Sequence, residues 1–250
     1  MKMRRYEVND EQWEKIKDLL PPKKTGRPFK NLRNTFNGIL WVMCTGASWR
    51  DIPERYGKWN TIYKCFAHWS NLDIFEKIFE KLSKENDFYR MVNRQHLCKS
   101  SQGGIRCKKR TLTAIGVSRA GRTSKIHIAV DEYGRPRKII LTAGNINDCD
   151  VAYELLDEFN LQGKTVIAER GYSISKIKNF IEEHGAVACI PPKSNFKKSW
   201  IYDREKYKSH NKIERFFGNL KERRHLATRY DKLASRFFSF VHLASIFSWL

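Results

Sequence analysis

Acidic residues are scarce in this chain of 250 residues. It has 27 Asp and Glu against 48 Lys and Arg, which gives a formal net charge of +21. A cationic surplus of this size attracts polyanions and releases their counterions on binding, so nucleic acid is the first partner class to consider. Because 41% of the residues are hydrophobic and 13% are aromatic, the chain can bury a core and is not a disordered polycation. The alternative is a basic protein whose charge serves only its solubility.

Paired cysteines and long apolar runs are also missing. None of the 6 cysteines forms a Cys-x-x-Cys pair, so we expect neither a zinc site nor a disulfide framework. Isolated thiols are typical of a reducing cytosol. The N-terminal stretch MKMRRYEVNDEQWEKI has no apolar centre, so we expect no signal peptide, and no window is apolar enough to span a bilayer. The sequence therefore predicts a cytoplasmic protein with no membrane partner.

The N-terminal third carries helical patterns. The pair Asn-Asp is an N-cap signal before EQWEKIKDLL, and NTFNGILWVMC has the pattern of a buried helix. The stretch TGASWRDIPERYGKWNTIYKCFAHW predicts a helix, a turn at Gly57 and a second helix, typical of a helix-turn-helix that enters the major groove. A helical bundle with core aromatics is the alternative. The basic loop from Lys23 to Lys30 is a candidate for DNA contact, as are four residues of the second helix: Lys58, Asn60, Thr61 and Lys64.

The remainder of the chain alternates between strand and helix patterns. SKIHIAVD, PRKIILTAG, KTVIAERG and AVACIPP predict short strands, whereas DCDVAYELLDEF and SISKIKNFIEEHG predict helices, the second closed by Gly185. The last part, from Asn211 onward, is predicted to be helical. We therefore expect an α/β domain over residues 87–250, preceded by a helical DNA-binding domain over residues 1–86.

Three carboxylates are candidates for metal ligands. Asp131 follows a predicted strand but precedes EYG, which favours a hairpin-turn role. Glu169 ends KTVIAE, and Glu214 lies in a helix rich in Arg and Lys, where a solvated i,i+4 ion pair is the alternative. Phosphoryl transfer on DNA needs carboxylates that converge on two Mg²⁺ ions about 4 Å apart. Glu169 and Glu214 supply two such ligands, which is usually too few.

Motifs along nearly the whole chain resemble one family. They include YEVNDEQWEKIKDLLPP, GRPFKNLR, NGILWVMCTGASWRDIPERYGKWNTIYKCFAHW, SRAGRTSKIHIAVDEYGRPRKIILTAGNINDCD and ATRYDKLASRFFSFVHLA. The chain resembles the DDE-type transposases of short bacterial insertion sequences, in the insertion-sequence-five group. The resemblance implies a ribonuclease-H-like core with a mixed sheet and flanking helices, preceded by a helix-turn-helix-like domain.

The resemblance also implies an activity and its partners. Members cut and join double-stranded DNA at the element's ends and at the target, with two Mg²⁺ ions held by Asp, Asp and Glu. Two ends must be brought together, so a homodimer or a larger assembly is expected. The implied location is the cytoplasm of a prokaryote, in association with the nucleoid.

The C-terminal catalytic motifs match the family's pattern only in part. The family's signature Tyr-x2-Arg-x3-Glu-x6-Lys corresponds to YKSHNKIERFFGNLK, where Tyr207, Glu214 and Lys221 match and His210 replaces the Arg. The second catalytic Asp corresponds to Glu169 in AERGY. By this resemblance Glu169 and Glu214 are the catalytic metal ligands. Three further residues are implied to contact phosphates or the DNA ends: Tyr207, His210 and Lys221.

The first catalytic Asp is absent. Aligning Gln102 and Lys108-Lys109 with the family's Gly-rich stretch puts Arg94 at the Asp position and Ser101 at a family His. A unit-charge pair at about 4 Å is worth roughly 4 kcal/mol at an effective dielectric constant of about 20. Because Arg94 repels a divalent cation where Asp would attract it, metal binding at this position should be lost.

The stretch VNRQHLCKSSQGG around this position holds bases, a His and a Cys but no acid. A nucleophilic site built on His96 and Cys98 would have no evident orienting partner. The segment NRQHLCKSS also predicts a disturbed strand, because unpaired buried bases are costly. For one permitted choice of codons for residues 93–101, the reading frame that starts one base later encodes Ile-Asp-Ser-Ile-Cys-Val-Lys-Val, followed by the first two bases of a His codon. We hypothesise a pair of compensating frameshifts over residues 93–101, with an evolved replacement of the Asp as the alternative.

Two functions therefore remain open. The first is a transposase that binds element-end DNA, with an ancestral metal-dependent cleavage and joining activity that is impaired in this copy. The second is a catalytically inactive DNA-binding remnant or regulator that occupies element ends or dimerises with intact copies. Both predict DNA binding that weakens steeply with salt. Divalent-metal-dependent strand cleavage is predicted only by the first.

Overall fold

The computed structural model describes residues 6–21, 31–84, 90–100, 114–193 and 200–250, apart from the side chains at 90 and 92–97. The predicted DNA-contact loop Lys23 to Lys30 lies outside the described residues, as do Ser101, Gln102 and the pair Lys108-Lys109. The described residues fall into two compact units. One comprises 6–21, 31–82 and 220–250, and the other comprises 83–84, 90–100, 114–193 and 200–219. The division into two domains at residue 86 stays a prediction.

The first unit is built mainly of helices. They are α1 (Asp10–Lys17), α2 (Leu32–Thr45), α3 (Trp59–Asn71) and α4 (Ile74–Lys84), whose last two residues belong to the second unit. Near the C-terminus lie α9 (Arg224–Ala227) and α10 (Ala234–Ile246), with a two-residue strand, β7 (Thr228–Arg229), between them. The expected N-cap before α1 is confirmed, because the side chains of Asn9 and Gln12 form a reciprocal capping box.

The segment between α2 and α3 corrects one prediction. Instead of a single α-helix before the turn at Gly57, it forms two short 3-10 helices, Trp49–Asp51 and Glu54–Tyr56. Gly46 ends α2 in a left-handed conformation (φ 69°), and Pro53 separates the two 3-10 helices and has no amide hydrogen to extend an α-helix across the segment. The predicted helix after Gly57 is confirmed as α3.

Aromatic stacking joins α3 to α10 in the core of the first unit. The rings of Phe66 and Phe240 stack with centroids 4.4 Å apart, and Trp49 lies 5.1 Å from Phe66 and 6.0 Å from Phe240. The Arg236 guanidinium donates a hydrogen bond to the Ala67 carbonyl at 2.6 Å. Residues at opposite ends of the sequence therefore share one core.

The second unit contains a mixed sheet. Its strands are β1 (Arg90–Ser100), β2 (Gly116–Ser118), β3 (Gly121–Val130), β4 (Pro136–Ala143), β5 (Thr165–Ala168) and β6 (Val187–Cys189). The order is β2–β3–β1–β5–β6, and β4 pairs with β3 as well. β3 is antiparallel to β1 and β4, whereas β5 is parallel to β1 and β6. The four predicted strands are β3 to β6, and the mixed sheet is confirmed.

Helices of the second unit cover the sheet. They are α5 (Asp148–Leu156), α6 (Ser175–Glu183), α7 (Arg204–Tyr207) and α8 (Asn211–Glu222), which continues into the first unit. Apolar side chains of α5 and α6, including Leu155 and Ile181, pack with Met91 and Val166 of the sheet. Gly185 follows α6 with φ 72°, as the predicted helix end requires.

The basic segment 93–100 forms part of the central strand. β1 pairs with β3 from Val92 to Lys99 and with β5 from Arg90 to Asn93. The prediction of a disturbed strand is therefore wrong for the backbone. The ladder with β3 pairs the backbone of this segment up to Lys99 whatever the side chains are, and Cys98 is buried.

Asp131 is confirmed as a turn residue. Its buried Oδ1 accepts hydrogen bonds from the amides of Tyr133 and Arg135 at 2.9 Å, and Oδ2 accepts one from Arg135 Nε at 2.8 Å. This carboxylate closes the hairpin between β3 and β4 and is not directed to a metal site. Within the described ranges, no helix is both long and apolar enough to cross a membrane.

Replacing Asp131 tests its role in the hairpin. We expect Asp131→Ala to lower the free energy of unfolding by about 2–3 kcal/mol, because it removes a buried carboxylate that accepts from two backbone amides and a guanidinium. Urea unfolding followed by circular dichroism would measure the change. The exposed Asp157, at the end of α5, is a matched control whose replacement by Ala should change stability by less than about 0.5 kcal/mol. Equal effects of the two substitutions would contradict the assignment.

Candidate catalytic pocket

The register between β1 and β5 brings two motif positions together. Asn93 pairs with Ala168 in these parallel strands, so the next residues, Arg94 and Glu169, are backbone neighbours at the same edge of the sheet. Arg94 also lies opposite Ile128 on β3. The resemblance implied that the first and second catalytic acids fall at positions 94 and 169. The backbone places these positions side by side.

A short turn fixes the backbone after Glu169. β5 ends at Ala168, and residues Arg170–Tyr172 form a 3-10 helix in which the Tyr172 amide donates to the Glu169 carbonyl at 2.9 Å. The Tyr172 hydroxyl lies 3.4 Å from His127 Nδ1, and His127 Nε2 lies 2.9 Å from Thr142 Oγ1. These contacts tie the turn to β3 and β4. Burial lowers the pKa of His127 to about 4, so this imidazole is neutral at physiological pH.

The helical segment 204–222 brings the C-terminal motif to the same place. α7 is followed by a 3-10 helix, Lys208–His210, and then by α8. His210 is buried and stacks on Tyr207, with ring centroids 5.2 Å apart and an interplanar angle of 13°. One turn along α8, Glu214 Oε1 lies 3.7 Å from His210 Nδ1. His210, at the position where the resemblance leads us to expect an Arg, therefore contacts both Tyr207 and Glu214.

These residues line one cavity of about 490 Å³. Of the predicted site residues it contains Glu169, Tyr207, His210 and Glu214, drawn from two distant parts of the sequence. The rest of the lining comprises Arg170, Pro191, Tyr202, Lys208 and Asn211. Two basic residues of the lining, Arg170 and Lys208, were not predicted as site residues, although each lies next to a motif residue.

The two carboxylates act electrostatically on Tyr207. Burial raises the pKa of the Tyr207 phenol, and the negative charges of Glu169 and Glu214 raise it further. Burial likewise raises the pKa of Tyr172 well above its ordinary value, with contributions from Asp148 and Glu169. The cavity therefore has an anionic wall formed by Glu169 and Glu214.

The residues of this site do not fit a complete two-metal centre. Among the residues that the structure describes, no group of three or more His, Cys, Asp or Glu side chains could hold a metal ion. Glu169 and Glu214 are oxygen donors of the kind that Mg²⁺ prefers. Position 94, which directly follows the residue paired with Ala168, carries an Arg and not a carboxylate.

The other predicted DNA-contact residues lie outside this cavity. Lys221 is exposed further along α8 and does not line it. All four candidates at the beginning of α3 are exposed: Lys58, Asn60, Thr61 and Lys64. Ile62, Cys65, Phe66 and Trp69 form the buried face of the same helix. This division between a polar face and an apolar face is compatible with DNA contact, which stays a prediction for these residues.

Titration of Tyr207 tests the geometry of the anionic wall. Glu169→Gln should lower the pKa of Tyr207, because a neighbouring negative charge that disfavours the phenolate is removed. Since burial is the largest cause of the shift, the pKa should stay above the ordinary value of 10.0. NMR of tyrosine labelled at Cζ would measure it, with the exposed Glu183→Gln as a control that should leave it unchanged. No change in Glu169→Gln would contradict the geometry.

Family models match three stretches of the chain. Residues 8–79 match "Putative transposase of IS4/5 family". Residues 97–202 and residues 166–250 match two models that are both described as "Transposase DDE domain". The matched stretches span the helical N-terminal region and most of the second unit.

Two relatives of the chain agree with these matches. The chain is 36% identical over 129 residues to "Putative transposase for insertion sequence element IS6501" of Brucella ovis, covering 51% of this chain and 98% of that protein. It is 33% identical to "Insertion element IS402 uncharacterized 16.2 kDa protein" of Burkholderia cepacia, covering 30% and 56% of the two chains.

The fold is also found in a solved transposase. The chain is similar to a cryo-EM structure of the piggyBac transposase synaptic complex with hairpin DNA, with a TM-score of 0.57 and 10% identity. The similarity covers 95% of this chain and 70% of that one. Together with the mixed sheet, it confirms the expected ribonuclease-H-like fold. The chain belongs to the DDE transposases of insertion sequences, in the IS4/5 group.

Proposed function

We propose that this transposase binds the DNA of its element's ends but is impaired in metal-dependent cleavage and joining. The observation that carries the proposal is the β1–β5 register, which makes Arg94 the backbone neighbour of Glu169. The ancestral activity is DNA transposition with divalent metal ions, of which Mg²⁺ is the expected one. The same register supports the alignment that put Arg94 in place of the first catalytic Asp.

Charge is the first reason to expect a defective metal site. Two carboxylates, Glu169 and Glu214, carry two negative charges, and the Arg94 guanidinium stays protonated at all relevant pH values. One unit-charge interaction at about 4 Å is worth roughly 4 kcal/mol at an effective dielectric constant of about 20. Replacing attraction by repulsion toward a divalent ion changes the energy by several times that amount. Since about 1.4 kcal/mol corresponds to a tenfold change in rate, cleavage should fall by many orders of magnitude.

Geometry is the second reason. Glu169 keeps the charge of the family's second Asp but adds one methylene group, and catalysis tolerates displacements of about 1 Å poorly. His210 replaces a planar, always-charged Arg that would hold a phosphate in bidentate geometry. Because His210 is buried and stacked on Tyr207, we assign it to positioning Glu214.

DNA binding does not require the missing carboxylate. It rests on the net charge of +21 and on exposed basic residues, which include Arg170 and Lys208 beside the cavity. Lys58 and Lys64 of α3 are further exposed basic residues, in the first unit. The alternative function, an inactive remnant or regulator that occupies element ends or pairs with intact copies as a homodimer or larger assembly, uses the same contacts. Cleavage separates the two functions.

The experiment compares this chain with a repaired one. In the repaired chain residues 93–101 are replaced by Ile-Asp-Ser-Ile-Cys-Val-Lys-Val-His and Glu169→Asp is added. Both are incubated with DNA carrying the element's own ends and Mg²⁺ or Mn²⁺. We expect strand cleavage by the repaired chain only and comparable DNA binding by both. A control, the repaired chain with Glu214→Gln, should bind but not cut.

Two results would contradict the proposal. Cleavage by the unrepaired chain would show that Arg94 does not disable the centre. Failure of both chains to bind DNA would contradict the proposed DNA-binding function. The frameshift hypothesis is tested separately by the gene sequence. It is wrong if the codons for residues 93–101 cannot encode the restored peptide in another reading frame.

A further inference from the structure

A second cavity lies within the first unit, apart from the catalytic pocket. It has a volume of about 650 Å³ and is formed by the segments 46–49 and 225–236 together with Tyr63 of α3. Its lining includes Trp49, Tyr63, His225, Tyr230, Lys232 and Arg236. Neither the catalytic motifs nor the predicted contacts of α3 use these residues.

Aromatic side chains at this cavity are unusually exposed. Tyr63 is 40% exposed and Tyr230 is 49% exposed, while Trp49, which contacts Tyr63, packs against Phe66 and Phe240 of the core. Exposed aromatic rings that are held by a rigid core are unfavourably hydrated, and a planar ligand stacked on them would remove that unfavourable contact with water. Tyr63 lies edge-on to Trp49, with ring centroids 5.3 Å apart, so its position is fixed by the core.

The charges of the cavity favour an anion-bearing ligand. Arg236 and Lys232 contribute two cations, and Arg236 is fixed by its 2.6 Å hydrogen bond to the Ala67 carbonyl. The one carboxylate among the lining residues, Asp231, is held by His225 through a contact of 2.7 Å between Oδ2 and Nε2. A ligand with a flat aromatic part and a phosphate would use both the rings and the cations.

The position of the cavity links it to the DNA-contact face of α3. Tyr63 is one turn from Asn60 and is followed directly by Lys64, and both of these neighbours are exposed. A strand bound along this face would pass the opening of the cavity. Its volume exceeds what one planar base needs, and stacking on aromatic side chains accepts any base because every base has a π face.

We propose that this cavity takes up an unstacked nucleobase of a bound DNA strand, with the base on Tyr230 and Tyr63 and its phosphate near Lys232 and Arg236. This inference rests on the proposed DNA binding and adds a site that reads single-stranded or distorted DNA. Binding at the site should depend on the base as well as on the phosphates.

Abasic DNA separates stacking from phosphate contacts. Fluorescence anisotropy at one salt concentration would compare a short oligothymidylate with a strand of equal length in which abasic residues replace the central bases. We expect the intact strand to bind about 5-fold to 150-fold more tightly, the range that base–aromatic stacking supports. Tyr230→Ala should remove most of this preference, whereas Tyr230→Phe should keep it.

The matched control is Tyr133→Ala, which removes an exposed tyrosine of the β3–β4 turn in the other unit. It should leave the preference intact. Equal binding of intact and abasic strands by the unaltered chain, or loss of affinity for both strands alike in Tyr230→Ala, would overturn the inference. A duplex of the element's end serves as the reference, since failure to bind any DNA, duplex included, would overturn the proposed function as well.

Discussion

The parallel pairing of β1 with β5 is the constraint on which the catalytic half of this molecule depends. Because Asn93 pairs with Ala168, positions 94 and 169 must lie side by side whatever residues they carry. Backbone hydrogen bonds set this register, so a substitution at position 94 changes the charge of the site without moving its scaffold. The proposed loss of the first catalytic acid is therefore compatible with an intact fold.

Four carboxylates of this basic chain have distinct places in the structure. Asp131 closes a hairpin, Asp231 is bound by His225, and Glu169 and Glu214 face one cavity with Tyr207. The excess of basic residues is spread over exposed surfaces in both units and suits a polyanionic partner. In the proposed function, DNA binding and catalysis rest on different residues, so binding does not require an intact metal site.

Local patterns in the sequence predicted most elements, because caps, alternation and turn residues act over a few positions. The Asn9 cap, the strands β3 to β6 and the turn at Asp131 are such cases. The two 3-10 helices before Gly57 were missed, since Pro53 competes with a pattern that otherwise favours an α-helix. β1 was misjudged because its pairing with two neighbours is non-local and outweighs its basic composition. The motif residues were located by resemblance. Arg170 and Lys208 could be assigned to the catalytic pocket only from the folded structure. The same is true of the aromatic cavity formed by residues 46–49, 63 and 225–236.

Metal binding to single variants tests the central claim most directly. Electron paramagnetic resonance of Mn²⁺ would be recorded with this chain, with Arg94→Asp, and with Lys99→Asp as a control that makes the same charge change at an exposed site of the same strand. The account predicts bound Mn²⁺ in Arg94→Asp and none in the other two, because position 94, unlike position 99, directly follows the residue paired with Ala168. Equal Mn²⁺ binding by the unaltered chain and by Arg94→Asp would contradict it.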